Sequence, residues 1–286
     1  MLCDPTPPCP LSLKSGFVST TTSDTPCHAH VSTTPSQTSP WLSTILPTMA
    51  SEQNKEYFNN EAAAYDAKYA KTLDRIVEEI RARLDFIGVD WVDEDTDSGS
   101  VRLLDYACGT GVVSRALAPY TTQCVGIDLS ENMVAQYNAR AENQGLARDE
   151  MYAYQGNLLD PNDPDPREFS SFDFQLFDIA VVGLGFHHFD DPALAAQMLV
   201  ERLRPGGVLL IMDFLPHGKV VDEHHAASRT ITHHGFSEEQ IKKIFEDAGA
   251  GKDFALETIG VAFNEATEER PEEVRRQVFL ARGTKD

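Results

Sequence analysis

The sequence has no long hydrophobic run and no pattern of paired cysteines, and it has far fewer basic than acidic side chains. No apolar stretch reaches the roughly 18 residues that a spanning helix needs, so we expect no membrane span. Three of the five cysteines lie near the N-terminus and Cys108 and Cys124 are isolated, a pattern that does not indicate a disulfide framework. Lys and Arg number 24 against 45 Asp and Glu, which gives a net charge of −21. Because such a large negative net charge repels phosphate backbones, we expect no nucleic-acid partner.

The first 48 residues have little apolar content that could form a core. They are rich in Thr, Ser and Pro, and Lys14 is their single cationic side chain. We therefore expect a disordered tail over residues 1–48 and a folded domain over residues 49–286, with translation from Met49 as an open alternative. The tail lacks the arginines of an organelle transit peptide, so we expect a cytoplasmic location, and its composition does not support a mitochondrial one.

A glycine turn between two apolar strands is the most informative feature of the chain. The strand that ends at Tyr106 runs into Gly109 and Gly111, a helix follows, and a second strand ends at Asp128. Glycine has no Cβ, so the turn can be sharp and a ligand can approach main-chain N–H groups. A carboxylate at the end of the second strand can accept both hydroxyls of a ribose. The pattern predicts a site for a nucleoside-containing cofactor.

The residues around the turn favour a positively charged cofactor over a dinucleotide. Dinucleotide-binding turns usually carry a third glycine or alanine where this chain has Ser114. Asp105 places a carboxylate beside the turn, where it would repel a pyrophosphate but hold ammonium and sulfonium groups. The segment Asp105–Gly111 resembles the first motif of the class I S-adenosylmethionine-dependent methyltransferases, with Ala107 where that family commonly has glycine.

Five more segments resemble this family and follow its order along the chain. They are Asp128–Met133, Gln155–Leu158, Phe177–Phe189, Leu203–Ile211 and Val278–Lys285. The resemblance covers most of the chain after about residue 51, and it extends to the quinone-biosynthesis methyltransferases. It implies a Rossmann-like α/β fold with a seven-stranded, mostly parallel sheet, helices on both faces and an antiparallel last strand.

The resemblance also implies which residues bind the cofactor. Asp128 is expected to bind the ribose, Leu129 and Met133 to border the adenine, and Asn157 to accept a hydrogen bond from the exocyclic amine. The full set is Asp105, Ala107 through its backbone, Gly109, Gly111, Asp128, Leu129, Met133, Asn157 and Leu158. Tyr65 lies in a segment similar to the lid over the methionine end, although ordinary helix packing explains it equally well.

Apolar periodicity and capping residues predict the elements between these motifs. The spacing of apolar residues predicts one long helix from Asn60 to about Gly88. Shorter helices are expected to start at Thr110, Ser130, Asp191 and the capping box at Ser237, and the third of these to end at Pro205–Gly207. Leu256–Phe263 and Val278–Arg282 remain as the closing strand pair. The alternation of strands and helices independently predicts a parallel sheet covered on both faces.

Histidines supply the candidate catalytic residues. His187 and His188 follow the fourth strand on the loop expected to face the substrate, where a neutral imidazole could accept a proton. His233 and His234 lie in the region where the family builds its substrate lid, and His234 joins the candidates. Adjacent histidines diverge in a strand or helix and no cysteine accompanies them, so we expect no metal site.

Three functional hypotheses remain open at this point. The first is a methyltransferase that acts on a small molecule by direct in-line transfer from S-adenosylmethionine, on oxygen or nitrogen ahead of carbon. The second is a protein that binds the cofactor without turnover. The third is a nicotinamide-dependent oxidoreductase, which Asp105 and Ser114 disfavour. The acceptor and the oligomeric state do not follow from the sequence.

Overall fold

Seven strands form one sheet in the order β3-β2-β1-β4-β5-β7-β6. The computed structural model describes residues 49–92, 99–217, 229–259 and 276–286, with side chains from residue 51. The strands are β1 Arg102–Tyr106, β2 Gln123–Asp128, β3 Met151–Gln155, β4 Phe177–Gly183, β5 Leu203–Phe214, β6 Lys252–Ile259 and β7 Val278–Thr284. Strand β7 runs antiparallel to both β5 and β6, and the other pairs are parallel. The predicted fold class is confirmed.

Helices cover both faces of the sheet. They are α1 Met49–Arg81, α2 Leu84–Ile87, α3 Val112–Leu117, α4 Glu131–Asn143, α5 Pro192–Arg202 and α6 Glu238–Asp247. Successive strand residues point to opposite faces, so Leu103 packs in the cluster under α1, α3 and α4, whereas Leu104 packs in the cluster under α5 and α6. Near-continuous apolar strands such as β4 and β5 are the consequence of burial on both sides.

The chain divides into two units, Met1–Ser43 and Thr44–Asp286. The predicted disordered tail over residues 1–48 lies outside the described residues. None of the described helices combines the length with the apolar composition that a bilayer span requires.

The first helix differs from its prediction. It begins at Met49 rather than Asn60, has non-helical backbone angles at Tyr69, and ends at Arg81, before the short α2 that stops at Gly88. Apolar periodicity did not detect the break because both helices bury residues in the same cluster. It also missed the first eleven residues, because that part of α1 is held mainly by polar contacts with loops.

The predicted cap at Thr110 is wrong. Gly111, with a φ of 86°, occupies the N-cap position of α3, and no side chain of that residue can cap the helix. The Thr110 hydroxyl instead donates to Asp66 of α1 at 2.6 Å. The carboxylate of Asp105 supplies the missing acceptor, since it accepts from the Ser114 N–H at 3.1 Å.

The remaining helix caps agree with the prediction from sequence, and one boundary each of α5, β6 and β7 differs from its predicted position. Ser130 accepts from the Met133 N–H, and Ser237 forms the predicted capping box with Gln240. Helix α5 ends at Arg202 rather than at Pro205–Gly207, because Leu203 already pairs with β4. Strand β6 starts earlier than predicted, at Lys252, and residues 260–263 lie outside the described residues. Strand β7 continues to Thr284.

Ala107 adopts a backbone conformation that normally favours glycine. Its φ is 55°, in the left-handed region where a Cβ crowds the following carbonyl. Its methyl group lies against Gly185, where an added Cβ would come within 2.9 Å of the Cβ of Ala107. The missing side chain at Gly185 therefore makes room for the alanine that replaces the family's glycine.

We expect Gly185→Ala to lower the free energy of unfolding by about 1–3 kcal/mol, because two Cβ atoms would collide. In an Ala107→Gly background one of them is gone, so the same substitution should cost less by about 1 kcal/mol or more. Urea denaturation of the four proteins measures this coupling.

Gly145→Ala is the control for this cycle. Its φ is also positive, at 77°, but no atom lies within 4 Å of the added Cβ. Its cost should be the same in the unmodified chain and in the Ala107→Gly background. Identical costs of Gly185→Ala in the two backgrounds would contradict the proposed contact.

Candidate functional site

The loops after β1, β2, β4 and β5 gather at the carboxyl edge of the sheet. This edge is where open parallel sheets bind ligands. The loop after β1 carries the glycine turn, β2 ends at Asp128, the loop after β4 carries His187 and His188, and β5 holds Asp213 near its end. The structure therefore brings candidate cofactor and catalytic residues to one edge.

Asp128 is held by backbone N–H groups on both sides. Its Oδ2 accepts from Gly109 and its Oδ1 from Ser130, each at 2.8 Å. Burial raises the pKa of Asp128 to about 6, and the two hydrogen bonds oppose that rise. Each carboxylate oxygen can accept more than one hydrogen bond, so the side chain retains capacity for two ligand hydroxyls.

The two glycines of the turn serve different purposes. At Gly109, with a φ of 53°, an added Cβ would have no neighbour within 4 Å, so the glycine leaves open space beside its backbone. At Gly111 an added Cβ would come within 2.6 Å of the Tyr137 ring. Gly109 is therefore suited to close approach by a ligand, whereas Gly111 is needed for the packing of α4.

Asp105 is buried under the turn. Its Oδ2 accepts from both the N–H and the hydroxyl of Ser114, so this carboxylate fastens the start of α3. Burial raises the pKa of Asp105 to about 7, against the two hydrogen bonds from Ser114. The predicted contact with the methionine end of a cofactor stays a prediction.

The residues expected around the adenine divide into exposed and buried ones. Leu129 and Asn157 are partly exposed, whereas Met133 and Leu158 are buried in the core. The amide oxygen of Asn157 already accepts from the Tyr106 hydroxyl at 3.1 Å and from the Leu159 N–H at 2.9 Å. The expected bond from this oxygen to an exocyclic amine would compete with both contacts.

The first half of α1, which comprises the residues before Tyr69, lies across these loops and is attached to them by polar side chains. Asn54 donates to the carbonyl of His188 at 3.2 Å, and Asn59 accepts from the Ser130 hydroxyl at 2.6 Å. Asp66 accepts from Thr110 and forms an ion pair with Arg140 of α4. Sequence reasoning placed Asn59 and Asp66 in the lid-like segment of Tyr65 without giving them a role, and it missed Asn54, because polar contacts between distant segments leave no periodic signal.

Tyr65 lies on the same half of α1. It is half-buried, and its ring packs on Tyr69 with 4.9 Å between the centroids. Burial raises its pKa, with smaller contributions from Tyr69, Tyr57 and Asp128. Its position agrees both with packing and with a lid role.

His187 forms a buried pair with Asp213. Its Nδ1 lies 2.9 Å from Oδ1 of Asp213, whose carboxylate also accepts from the backbone N–H groups of His187 and Phe214. Because a carboxylate only accepts, Nδ1 carries the hydrogen and Nε2 of a neutral ring keeps its lone pair. The sequence analysis missed Asp213, although it stands at the end of an apolar strand as Asp128 does.

The neighbouring histidines are placed differently. The ring of His188 stacks on that of His187 at 4.0 Å, and its Nδ1 lies 2.6 Å from the carbonyl of Thr230. Burial and the adjacent His187 lower the pKa of His188 to about 3. The backbone N–H of His233 donates to the His187 carbonyl, and the ring of His234 faces that of His217 at 6.0 Å. Among the residues that the structure describes, no group of three or more metal-binding side chains occurs.

Comparison with known proteins gives the same family. A family model described as a methyltransferase domain matches residues 57–251. An uncharacterized methyltransferase of Schizosaccharomyces pombe is 33% identical over 167 residues, which cover 56% of either chain. A ubiquinone biosynthesis O-methyltransferase of Aromatoleum aromaticum is 29% identical over 119 residues, 42% of this chain and 46% of that protein. The chain spans about half the length of these curated relatives.

The fold also matches solved structures. Phosphoethanolamine N-methyltransferase 2 of Haemonchus contortus, in complex with S-adenosyl-L-methionine, superposes with a TM-score of 0.54 at 14% identity, over 82% of this chain and 58% of that chain. The predicted resemblance to the methyltransferase family is confirmed, and the activity and the cofactor stay predictions. The family model matches more than half of the residues of this chain, and the chain therefore belongs to the methyltransferase domain family.

Proposed function

We propose that this protein methylates a small-molecule acceptor by direct in-line transfer, with His187 as the general base. The observation that carries the proposal is the buried pair of His187 and Asp213, at the same sheet edge as Asp128 and the glycine turn. The relatives that work in ubiquinone biosynthesis favour a small acceptor, and the net charge of −21 disfavours a nucleic acid.

The residues at the edge of the sheet fit the cofactor. Asp128 can accept both ribose hydroxyls, the open side of Gly109 admits close approach to the backbone, and the partly exposed Leu129 follows Asp128 at the expected adenine end. Asp105 lies under the glycine turn, and burial raises its pKa to about 7, so its side chain adds negative charge near the methionine end only above that pH. When bound, S-adenosylmethionine supplies a methyl group on a positively charged sulfur.

The protein's own part in the reaction is alignment, exclusion of water and removal of a proton. Asp213 holds the hydrogen of His187 on Nδ1, so that Nε2 can take the proton of an acceptor hydroxyl or amine. With S-adenosylmethionine bound, the methyl group would come from its sulfur, and the proton that the acceptor loses would rest on Nε2 of His187. The first half of α1 covers the site and limits the access of water.

His188 and His234 have supporting roles in this proposal. Because its pKa is lowered to about 3, His188 stays neutral at physiological pH and is a weaker base. Its ring contacts Phe58 of α1 edge-on, with 5.2 Å between centroids. His188 therefore joins the loop after β4 to the first half of α1. His234, beside His217, remains a candidate for contact with the acceptor.

We expect Asp128→Asn to weaken the binding of S-adenosylhomocysteine by roughly 10- to 100-fold, because the amide has one oxygen where the carboxylate has two. In the unmodified protein the charged carboxylate is lost as the pH falls through about 6, so affinity should drop between pH 8 and pH 5. Isothermal calorimetry at several pH values measures both effects.

The variant is also the control for this pH dependence, since an amide does not titrate. A drop in affinity near pH 6 that persists in Asp128→Asn would have to be assigned to another group, such as Asp105. Unchanged affinity in the variant at pH 8 would contradict the ribose contact.

We expect His187→Gln to lower turnover by a factor of about 100 or more while changing the affinity for S-adenosylhomocysteine less than about threefold. Asp213→Asn should also lower turnover, because the imidazole of His187 loses the partner that orients it. For the same reason, the pH at which turnover rises should change. Release of S-adenosylhomocysteine, with a deproteinised small-molecule extract as the pool of acceptors, measures turnover.

Asp190→Asn makes the same change of charge on an exposed residue of the same loop and should leave turnover unchanged. Equal losses of turnover and of cofactor affinity in His187→Gln would indicate a structural histidine. Tight cofactor binding with no turnover on any extract would favour a protein that binds the cofactor without catalysis.

A further inference from the structure

Tyr106 occupies the hydrogen-bonding groups that were expected to read the base of the cofactor. It is the last residue of β1, it is buried, and its hydroxyl reaches the segment after β3. There it lies 3.1 Å from the amide oxygen of Asn157 and 3.2 Å from the backbone nitrogen of Leu158. The expectation from sequence was that the oxygen of Asn157 accepts from the 6-amino group of adenine.

The donors and acceptors in this network can be assigned without ambiguity. A backbone N–H can only donate, so Leu158 donates to the Tyr106 oxygen and Leu159 donates to the Asn157 side chain at 2.9 Å. The second contact fixes which atom of the amide is oxygen. The phenol hydrogen of Tyr106 must then point to that oxygen, and burial raises the pKa of Tyr106, which keeps this hydrogen in place.

The network leaves the segment with a donor but without a side-chain acceptor. An amide oxygen has two lone pairs, and at Asn157 they are taken by Tyr106 and Leu159. The N–H groups of Leu158 and Leu159 are also used. What Asn157 can offer a ligand is its amide NH2. An adenine 6-amino group is also a donor and would meet it unfavourably, whereas a 6-oxo group is an acceptor and would match it.

We propose that Tyr106 sets the base specificity of the cofactor site. By holding the amide oxygen of Asn157, it removes the acceptor that would select a 6-amino purine, so the site binds a 6-oxo purine cofactor at least as well as the adenine form. The proposal rests on the proposed function, since it concerns the same cofactor site, but its test needs no methyl acceptor.

The test compares S-adenosylhomocysteine with S-inosylhomocysteine, which carries 6-oxo for 6-amino and, as the lactam, an N1–H donor where adenine N1 is an acceptor. With the full chain, we expect the dissociation constant of the oxo form from calorimetry to be equal to or below that of the adenine form, or at most about threefold above it. A site with a free acceptor at this position would reject the oxo form by about tenfold or more, since a mismatched polar contact costs at least the 1.4 kcal/mol that corresponds to a factor of ten.

Two substitutions should restore the preference for adenine by separate routes. Tyr106→Phe frees one lone pair of the Asn157 oxygen and the N–H of Leu158, so the adenine form should bind at least tenfold better than the oxo form. Asn157→Asp keeps Tyr106 in place and adds acceptor capacity, and it should shift the ratio in the same direction. Tyr154→Phe removes a hydroxyl from a ring that packs on Phe174 and should keep the original ratio.

Each outcome decides a different point. A tenfold or larger preference for adenine in the unmodified protein overturns the proposal, as does an unchanged ratio in both Tyr106→Phe and Asn157→Asp. If Tyr106→Phe does not fold, Asn157→Asp alone decides. Binding of neither compound by the unmodified protein overturns the proposed cofactor site itself.

Discussion

The carboxylate of Asp128 connects the segments on which the site depends. One oxygen holds the backbone of Gly109 in the glycine turn, and the other holds Ser130 at the start of α4. Ser130 in turn donates from its hydroxyl to Asn59 of α1. The loop after β1, the loop after β2 and the helix that covers them are therefore joined through one buried acid, which also has capacity left for a ribose.

The burial of carboxylates at this edge of the sheet lowers the stability of the folded protein, so stability does not explain why they are there. Burial raises the pKa of Asp105 to about 7 and that of Asp128 to about 6, which means that the charged forms are disfavoured in the folded protein. Asp213 is fully buried and accepts three hydrogen bonds from His187 and Phe214. Acids retained in such places are typical of functional sites, where ligand or base contacts require them.

The two halves of α1 are held by different forces. After the irregular backbone at Tyr69, Leu73, Ile76 and Ile80 are buried in the core and anchor the helix. Before it, Asn54, Asn59 and Asp66 attach the helix to three loops by hydrogen bonds, and Asp66 also attaches it to α4 by an ion pair. Net contributions of hydrogen bonds are small, about 1 kcal/mol each, so these polar contacts add to the packing of Ala62 and Tyr65, which are buried or lie against the core.

The sequence by itself determined the α/β fold class, the order of the elements and the placement of the glycine turn and Asp128 at the ends of adjacent strands. These follow from short-range patterns: apolar strands, glycines at fixed spacing, an acid at the end of β2 and caps such as Ser130 and Ser237. Only the tertiary structure decided the pairing of His187 with Asp213, the polar attachment of α1 and the hold of Tyr106 on Asn157. Those contacts join residues that are 26, 71 and 51 positions apart, and which side chains meet at such distances depends on strand order and helix packing, which leave no periodic trace in the chain.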